Sequence, residues 1–273
     1  MAYKGTLGLI GCPILEDEIA YVLTKDNDIS SICFVDTEDC KNLVKKVKRL
    51  DPKKSLFFLE EGDIDSYTPE NGGFSVLVWI KPSALHEDPD NLRDKIVDTM
   101  TKIDEKCDSI LLFYGLCGNA FKNIDKISDR FTSPVTIMKD LKGQIVDDCI
   151  AVPLGGTEGY LSLLKKYPGV FYMTPAWAEN WKDLIRKAEM FRGMGEASWD
   201  DLKFIFEMAN YTKVLKIRTG LGDNQMQDEK TKEFAEIFNF EEHILEDGWC
   251  SLDVTKESYA KAKGFLSGES PES

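Results

Sequence analysis

The chain has 273 residues, an ordinary hydrophobic content of 42% and a formal net charge of −14. That length suffices for one large α/β domain or two modest ones, while the acidic balance argues against a nucleic-acid surface, which needs clustered lysine and arginine, and against an anionic membrane. No basic leader followed by an apolar stretch and no apolar run of about 18 residues occurs, so neither a signal peptide nor a membrane span is expected, and the chain reads as cytoplasmic.

In chain order, residues 6–10 (TLGLI) predict a short strand running into Gly11, Cys12 and Pro13, with a helix over 15–23 behind it. Residues 31–35 (SICFV) predict a second strand, and 36–50 has helical spacing with a lysine-rich outer face. Two more strands are predicted at 55–59 (SLFFL) and 74–80 (FSVLVWI), separated by the acidic loop EEGDIDSYTPENGG. Residues 89–106 predict an amphipathic helix, capped by Asp88 and with Pro89 at a first helical position. SILLFYG then predicts a buried strand ending in a sharp loop, and PVTIM and QIVDDCIAV predict two further strands. GTEGYLSLLKKY predicts a glycine-led helix, and GVFYMTP a strand ended by Pro175. The pattern over 177–210 predicts two helices broken near Gly193 and Gly195, TKVLKIRTG a strand, 228–238 a helix, EHILE a strand and 255–265 a closing helix. Strands alternating with helices predict an α/β fold with a mostly parallel sheet, helices on both faces, Rossmann-like, within a single domain over 1–266. A lobe boundary is expected near 176–198 and a disordered polar tail over 267–273.

Seven cysteines in a cytoplasmic chain point to reduced thiols, metal ligation or catalysis rather than cross-links. Cys33, inside a strand, and Cys107, just before one, read as small buried apolar residues. Cys40 and Cys250 read as incidental. Cys12, Cys117 and Cys149 differ, because each stands where an apolar run gives way to a turn, in LGLIGCPILEDE, SILLFYGLCGNAF and IVDDCIAVPLGGTEG. In an open parallel sheet such turns converge on one crevice. Three thiols delivered there predict one site, which zinc or iron would hold as thiolates. An iron–sulfur cluster is also open, although the usual C-x-x-C spacing is absent.

Only two histidines occur, and His86, in the strand-end loop KPSALHEDP, is the candidate fourth ligand. His243 reads as structural or exposed. Glu18, a helical step beyond Cys12, is an alternative ligand. Asp147 and Asp148 on a strand would alternate faces, so one at most could orient a ligand beside Cys149. For a cofactor, the glycines around Cys117 let backbone come close, which nominates Tyr114, Gly115, Gly118 and Asn119. Gly155, Gly156 and Gly159 at a helix start would suit an anion or a tight turn. Thr174, Trp177 and Glu179, with Thr219 and Gly220, mark further strand ends.

At YGLCGN, DDCIAVPLGGTEGY and YPGVFYMTPAWAE the chain resembles the domain-of-unknown-function 1638 family, α/β proteins of anaerobes and methanogens. The resemblance runs from the Cys12–Glu18 segment to the Thr219–Gly220 turn, with His86 matching a family histidine. This chain has Asp147 where the family often has histidine, and Ala176 where it often has glycine. The resemblance implies a setting in corrinoid-linked methyl transfer or one-carbon metabolism, with a corrinoid protein or methyltransferase as partner. Three readings stay open: a metal-dependent methyltransferase-type protein, a non-enzymatic accessory that delivers metal or cofactor, and an iron–sulfur enzyme with dispersed ligands. The corrinoid signature D-x-H-x-x-G is absent, so corrinoid is expected only through a partner. The substrate, the metal and the oligomeric state are not written in the sequence.

Overall fold

A computed structural model describes residues 3–69, 72–83, 85, 88–187 and 198–267. Six strands form the first sheet: β1 (Gly5–Gly11), β2 (Ile29–Asp36), β3 (Leu56–Glu60), β4 (Phe74–Ile80), β5 (Ser109–Phe113) and β6 (Val135–Ile137). Their spatial order is β3-β2-β4-β1-β5-β6 and every pair is parallel. The inner strands β4 and β5 are buried at every residue, and β1 at every residue after Gly5. Continuous apolar runs of this kind belong to strands covered on both faces.

Two glycines on β1 show how the cover is achieved. A methyl group on Gly8 would come within 2.8 Å of Ile103, at the end of α3 (Pro89–Ile103). One on Gly11 would come within 2.6 Å of Ile19 in α1 (Glu16–Lys25). Gly8 and Gly11 differ by an odd number of positions and so face opposite sides of the strand. A helix therefore closes on each side of the central strand. Helix α2 (Lys41–Leu50) packs beside α1, and α4 (Ile124–Ser128) lies between β5 and β6 in the chain.

The second sheet has the order β7-β8-β9, with β7 (Val170–Met173), β8 (Lys213–Lys216) and β9 (Glu241–Ile244), again all parallel. One face carries Leu215 and Val170 against Leu163 of α5 (Thr157–Lys166). The other carries Met173 and Val214 against α6 (Pro175–Lys187), α7 (Trp199–Met208) and α8 (Asn224–Phe238), through Trp181, Phe206, Phe234 and Phe238. The chain passes between the sheets over residues 138–169 and returns as α9 (Asp253–Gly264), which packs on β5, β6 and α1. The result is an α/β, Rossmann-like architecture with a second, smaller lobe.

One predicted strand is absent. QIVDDCIAV forms an isolated antiparallel bridge, Lys139 to Ile145, and then a short 3-10 helix, Cys149–Ala151. The Asp148 carboxylate accepts from the backbone N–H groups of Ile150 and Ala151 at 2.7 and 3.1 Å. That cap diverts the chain from the extended form. The expected break at Gly193 and Gly195, and the tail from 268 onward, lie outside the described residues. Among the described residues no helix is long and apolar enough to cross a membrane.

Candidate thiol site at the strand ends

From β1 the chain turns toward β2, and from β5 it turns toward β6 on the opposite side. The carboxyl ends of these adjacent strands thus flank a topological switch point, where open α/β sheets bind ligands. Gly11 pairs with Phe113 in register, so Cys12 and Tyr114 are the next residues out. The Tyr114 hydroxyl donates to the Gly11 carbonyl at 3.1 Å and ties the two strand ends together. Burial, followed by the neighbouring Cys12, Cys149 and Cys117, pushes the Tyr114 phenol well above its ordinary range. Tyr114 is therefore a neutral structural tie among the three sulfurs.

Cys149 arrives from the segment after β6. The Leu116 N–H donates to the Val146 carbonyl at 2.7 Å, and the Cys117 N–H to the Asp147 carbonyl at 3.0 Å. These bonds lay residues 146–148 along the loop that carries Cys117. Gly115 permits the approach, since a methyl group there would lie 2.6 Å from the Val146 carbonyl oxygen and 2.9 Å from Asp148 Cα. The loop then turns through three successive left-handed residues, Cys117 (φ +45°), Gly118 (φ +64°) and Asn119 (φ +71°). For a cysteine that conformation is strained, and such strain persists where the surroundings impose it.

The three thiols approach one another: Cys117 and Cys12 both act on Cys149, and all three side chains are buried. The neighbouring Cys117 does most to raise the Cys149 thiol far above its ordinary range, with Cys12 opposing, and burial and Asp148 adding to the rise. Left to itself Cys149 holds its proton. A cation reverses that balance, because it stabilises thiolates directly. Among the described residues no group of three or more histidine, cysteine, aspartate or glutamate side chains is arranged to hold a metal ion. A fit to zinc or iron thus rests on the donor set, sulfurs from three loops, and requires the side chains to rearrange around the ion.

The other nominated residues fall in different places. His86 lies outside the described residues. Gly118 and Asn119 are exposed at the loop tip, and Gly118 abuts Pro89 at the start of α3. Gly155 and Gly156 (φ +74° and +118°) make the tight turn into α5, and the Gly156 N–H is held by the Ala151 carbonyl at 2.9 Å. The Thr174 hydroxyl accepts from the Trp177 N–H at 3.3 Å at the start of α6, and Trp177 meets Phe171 edge-on at 5.2 Å in the second lobe's aromatic core. Thr219 accepts from the Leu221 N–H in the turn after β8.

Glu18 is buried in the first turn of α1. Burial, with Asp17 adding to it, pushes Glu18 up to about 8. Glu18 belongs to a junction between the lobes that sequence reasoning missed. Lys46 of α2, itself buried, contacts Asp17 at 2.5 Å, Glu179 of α6 at 2.8 Å and Glu16 at 3.1 Å. Asn180 joins the same junction, donating to Glu16 and accepting from Asn42. Burial raises Glu16 to about 7, with Lys46 opposing and Glu179 and Asp17 reinforcing. The available signal was a lysine inside the apolar stripe Leu43, Val44, Val47 of α2. A cleft between the lobes, lined by Pro13, Asp39, Asn42, Lys45, Ser83 and Asn180, opens beside this junction. Pro13, which follows Cys12, lines this cleft, but none of the three cysteines does.

The sequence model of a family described as "Protein of unknown function (DUF1638)" matches residues 80–252. That span contains His86, Cys117 and Cys149 and begins after Cys12 and Glu18. No curated protein matches the chain.

Proposed function

The chain belongs to the DUF1638 family, and from that premise we propose that Cys12, Cys117 and Cys149 form a thiolate site for zinc or iron. The observation that carries the proposal is the approach of Cys149 to both other cysteines at the switch point of the sheet. Three thiols brought from three loops into one buried spot are poor hydrogen-bonding company for one another and a strong donor set for a soft cation. Their strained and glycine-dependent backbone favours a purpose beyond core packing. His86 is assigned the fourth position, with Glu18 as the alternative.

The setting we assign is corrinoid-linked methyl or one-carbon metabolism, where a thiolate-bound metal activates a substrate thiol as a methyl acceptor. In that role the cleft beside Pro13 admits the substrate, and Gly115 and Tyr114 hold the two strand ends in register. Elemental analysis of anaerobically purified protein tests the site. One zinc or iron per chain is expected in the natural protein, falling to a trace in Cys117→Ser and Cys149→Ser, and reduced in His86→Ala. A colourless zinc protein would set aside the iron–sulfur alternative. A brown protein with a visible charge-transfer band, lost in the same variants, would replace the mononuclear reading with it. Metal content unaffected by Cys117→Ser would overturn the proposal. If a corrinoid protein is retained on the immobilised chain while methyl transfer is absent, the accessory role holds instead of the enzymatic one.

A further inference from the structure

Strand β3 is an edge of the six-stranded sheet, paired to β2 on one side only. Its residues Leu56, Phe57, Phe58, Leu59 and Glu60 are half-buried or exposed, unlike those of the inner strands. Phe57 and Phe58 project to opposite faces and are 44% and 49% exposed, and Leu50 at the nearby end of α2 is 57% exposed. An open edge with apolar side chains on both faces is a template for pairing with another strand, and natural proteins usually blunt such edges. This one carries no proline, and its charges stand only at its ends, as Lys53 and Lys54 before it and Glu60 and Glu61 after it. Among the described residues Lys53, Glu60 and Glu61 form no ion pair within the chain. All three are exposed.

We propose that β3 pairs antiparallel with β3 of a second copy across a two-fold axis, joining two sheets into one of twelve strands. The charge pattern is self-complementary in that orientation. With Phe57 opposite Phe57 of the second copy, Lys54, whose ammonium also donates to the Asp26 carbonyl, faces its Glu60, and Lys53, in the turn before the strand, lies near its Glu61, which opens the 3-10 helix Glu61–Ser66 after it. Leu56 then faces its Phe58 on the other side of the ribbon. Every cross-strand pair in this register is apolar with apolar or basic with acidic, apart from Ser55 with Leu59. A parallel arrangement would place like charges together, and a two-fold axis excludes it. The interface is isologous, so each contact occurs twice.

Sedimentation of the full chain tests the pairing. The natural protein is expected at twice the chain mass, and Phe57→Asp at the chain mass with an unchanged circular dichroism spectrum. Lys53→Glu alone and Glu61→Lys alone are each expected to weaken the dimer, since each places like charges opposite one another. An equimolar mixture of the two variants is expected to recover it, because both ends of the mixed dimer then regain an opposite pair. A monomeric natural protein would overturn the proposal. A dimer that persists in Phe57→Asp, or one that the charge variants leave unchanged, would overturn it equally, by moving the interface to another face.

Discussion

Replacing Gly115 by alanine probes the geometry on which the thiol site depends. The new methyl group would meet the Val146 carbonyl oxygen at 2.6 Å and Asp148 Cα at 2.9 Å. Both are backbone atoms, so no side chain can swing aside, and residues 146–149 must retreat. Retreat breaks the hydrogen bonds from Leu116 to Val146 and from Cys117 to Asp147. Two such bonds contribute about 1–3 kcal/mol together, at roughly 0.5–1.5 kcal/mol each. Forcing a methyl group into a packed site costs about 1–3 kcal/mol if nothing moves. The chain takes whichever response costs less, so a net loss of about 1–3 kcal/mol is expected. Urea unfolding measures it, with Gly62→Ala as the control, since nothing lies within 4 Å of a methyl group there. The control should stay within about 0.5 kcal/mol of the natural protein. A second readout follows from the displaced Cys149. In the natural fold only Cys250 is more than marginally accessible among the seven cysteines. Gly115→Ala should expose further thiols to an aromatic disulfide reagent. A variant as stable as the control, with unchanged thiol reactivity, would refute the claim that close approach at Gly115 builds the site.

The lobe junction yields two further expectations. Lys46→Met leaves Glu16, Asp17 and Glu179 without their cation, and should cost about 3–5 kcal/mol at pH 8 by urea unfolding, as buried pairs do when one partner is removed. The loss should shrink at pH 5, where protonation relieves the stranded charges, and equal losses at both pH values would refute the assignment. Glu16 and Glu18 are raised from 4.5 to about 7 and about 8. Between pH 4.5 and 8 the folded chain therefore holds protons that the unfolded chain has released, and stability falls as pH rises through that window. Each group contributes at most about 1.4 kcal/mol per pH unit. Glu18→Gln should flatten the slope and gain most at pH 8, and a variant that parallels the natural protein from pH 5 to 8 would show that Glu18 does not titrate there.

Much of this molecule was legible in its residues. The apolar runs TLGLI, FSVLVWI and SILLF predicted inner parallel strands, because only strands covered on both faces can dispense with polar alternation. Glycine or proline beside Cys12 and Cys117 marked strand ends, and ends of parallel strands share one side of a sheet. From these local facts the meeting of three thiols could be anticipated. What local pattern could not decide was how each loop travels. QIVDDCIAV has the composition of a strand, yet the Asp148 carboxylate captures its own following N–H groups and turns it into a cap. The delivery of Cys149 then depended on a backbone contact with Gly115, thirty-odd residues away, which no periodicity records. The burial of Lys46 likewise required the second lobe to close over α1, bringing Glu179 from far along the chain. Side-chain spacing reports which face of an element is apolar; strand order and crossover decide which charges and thiols that face will meet.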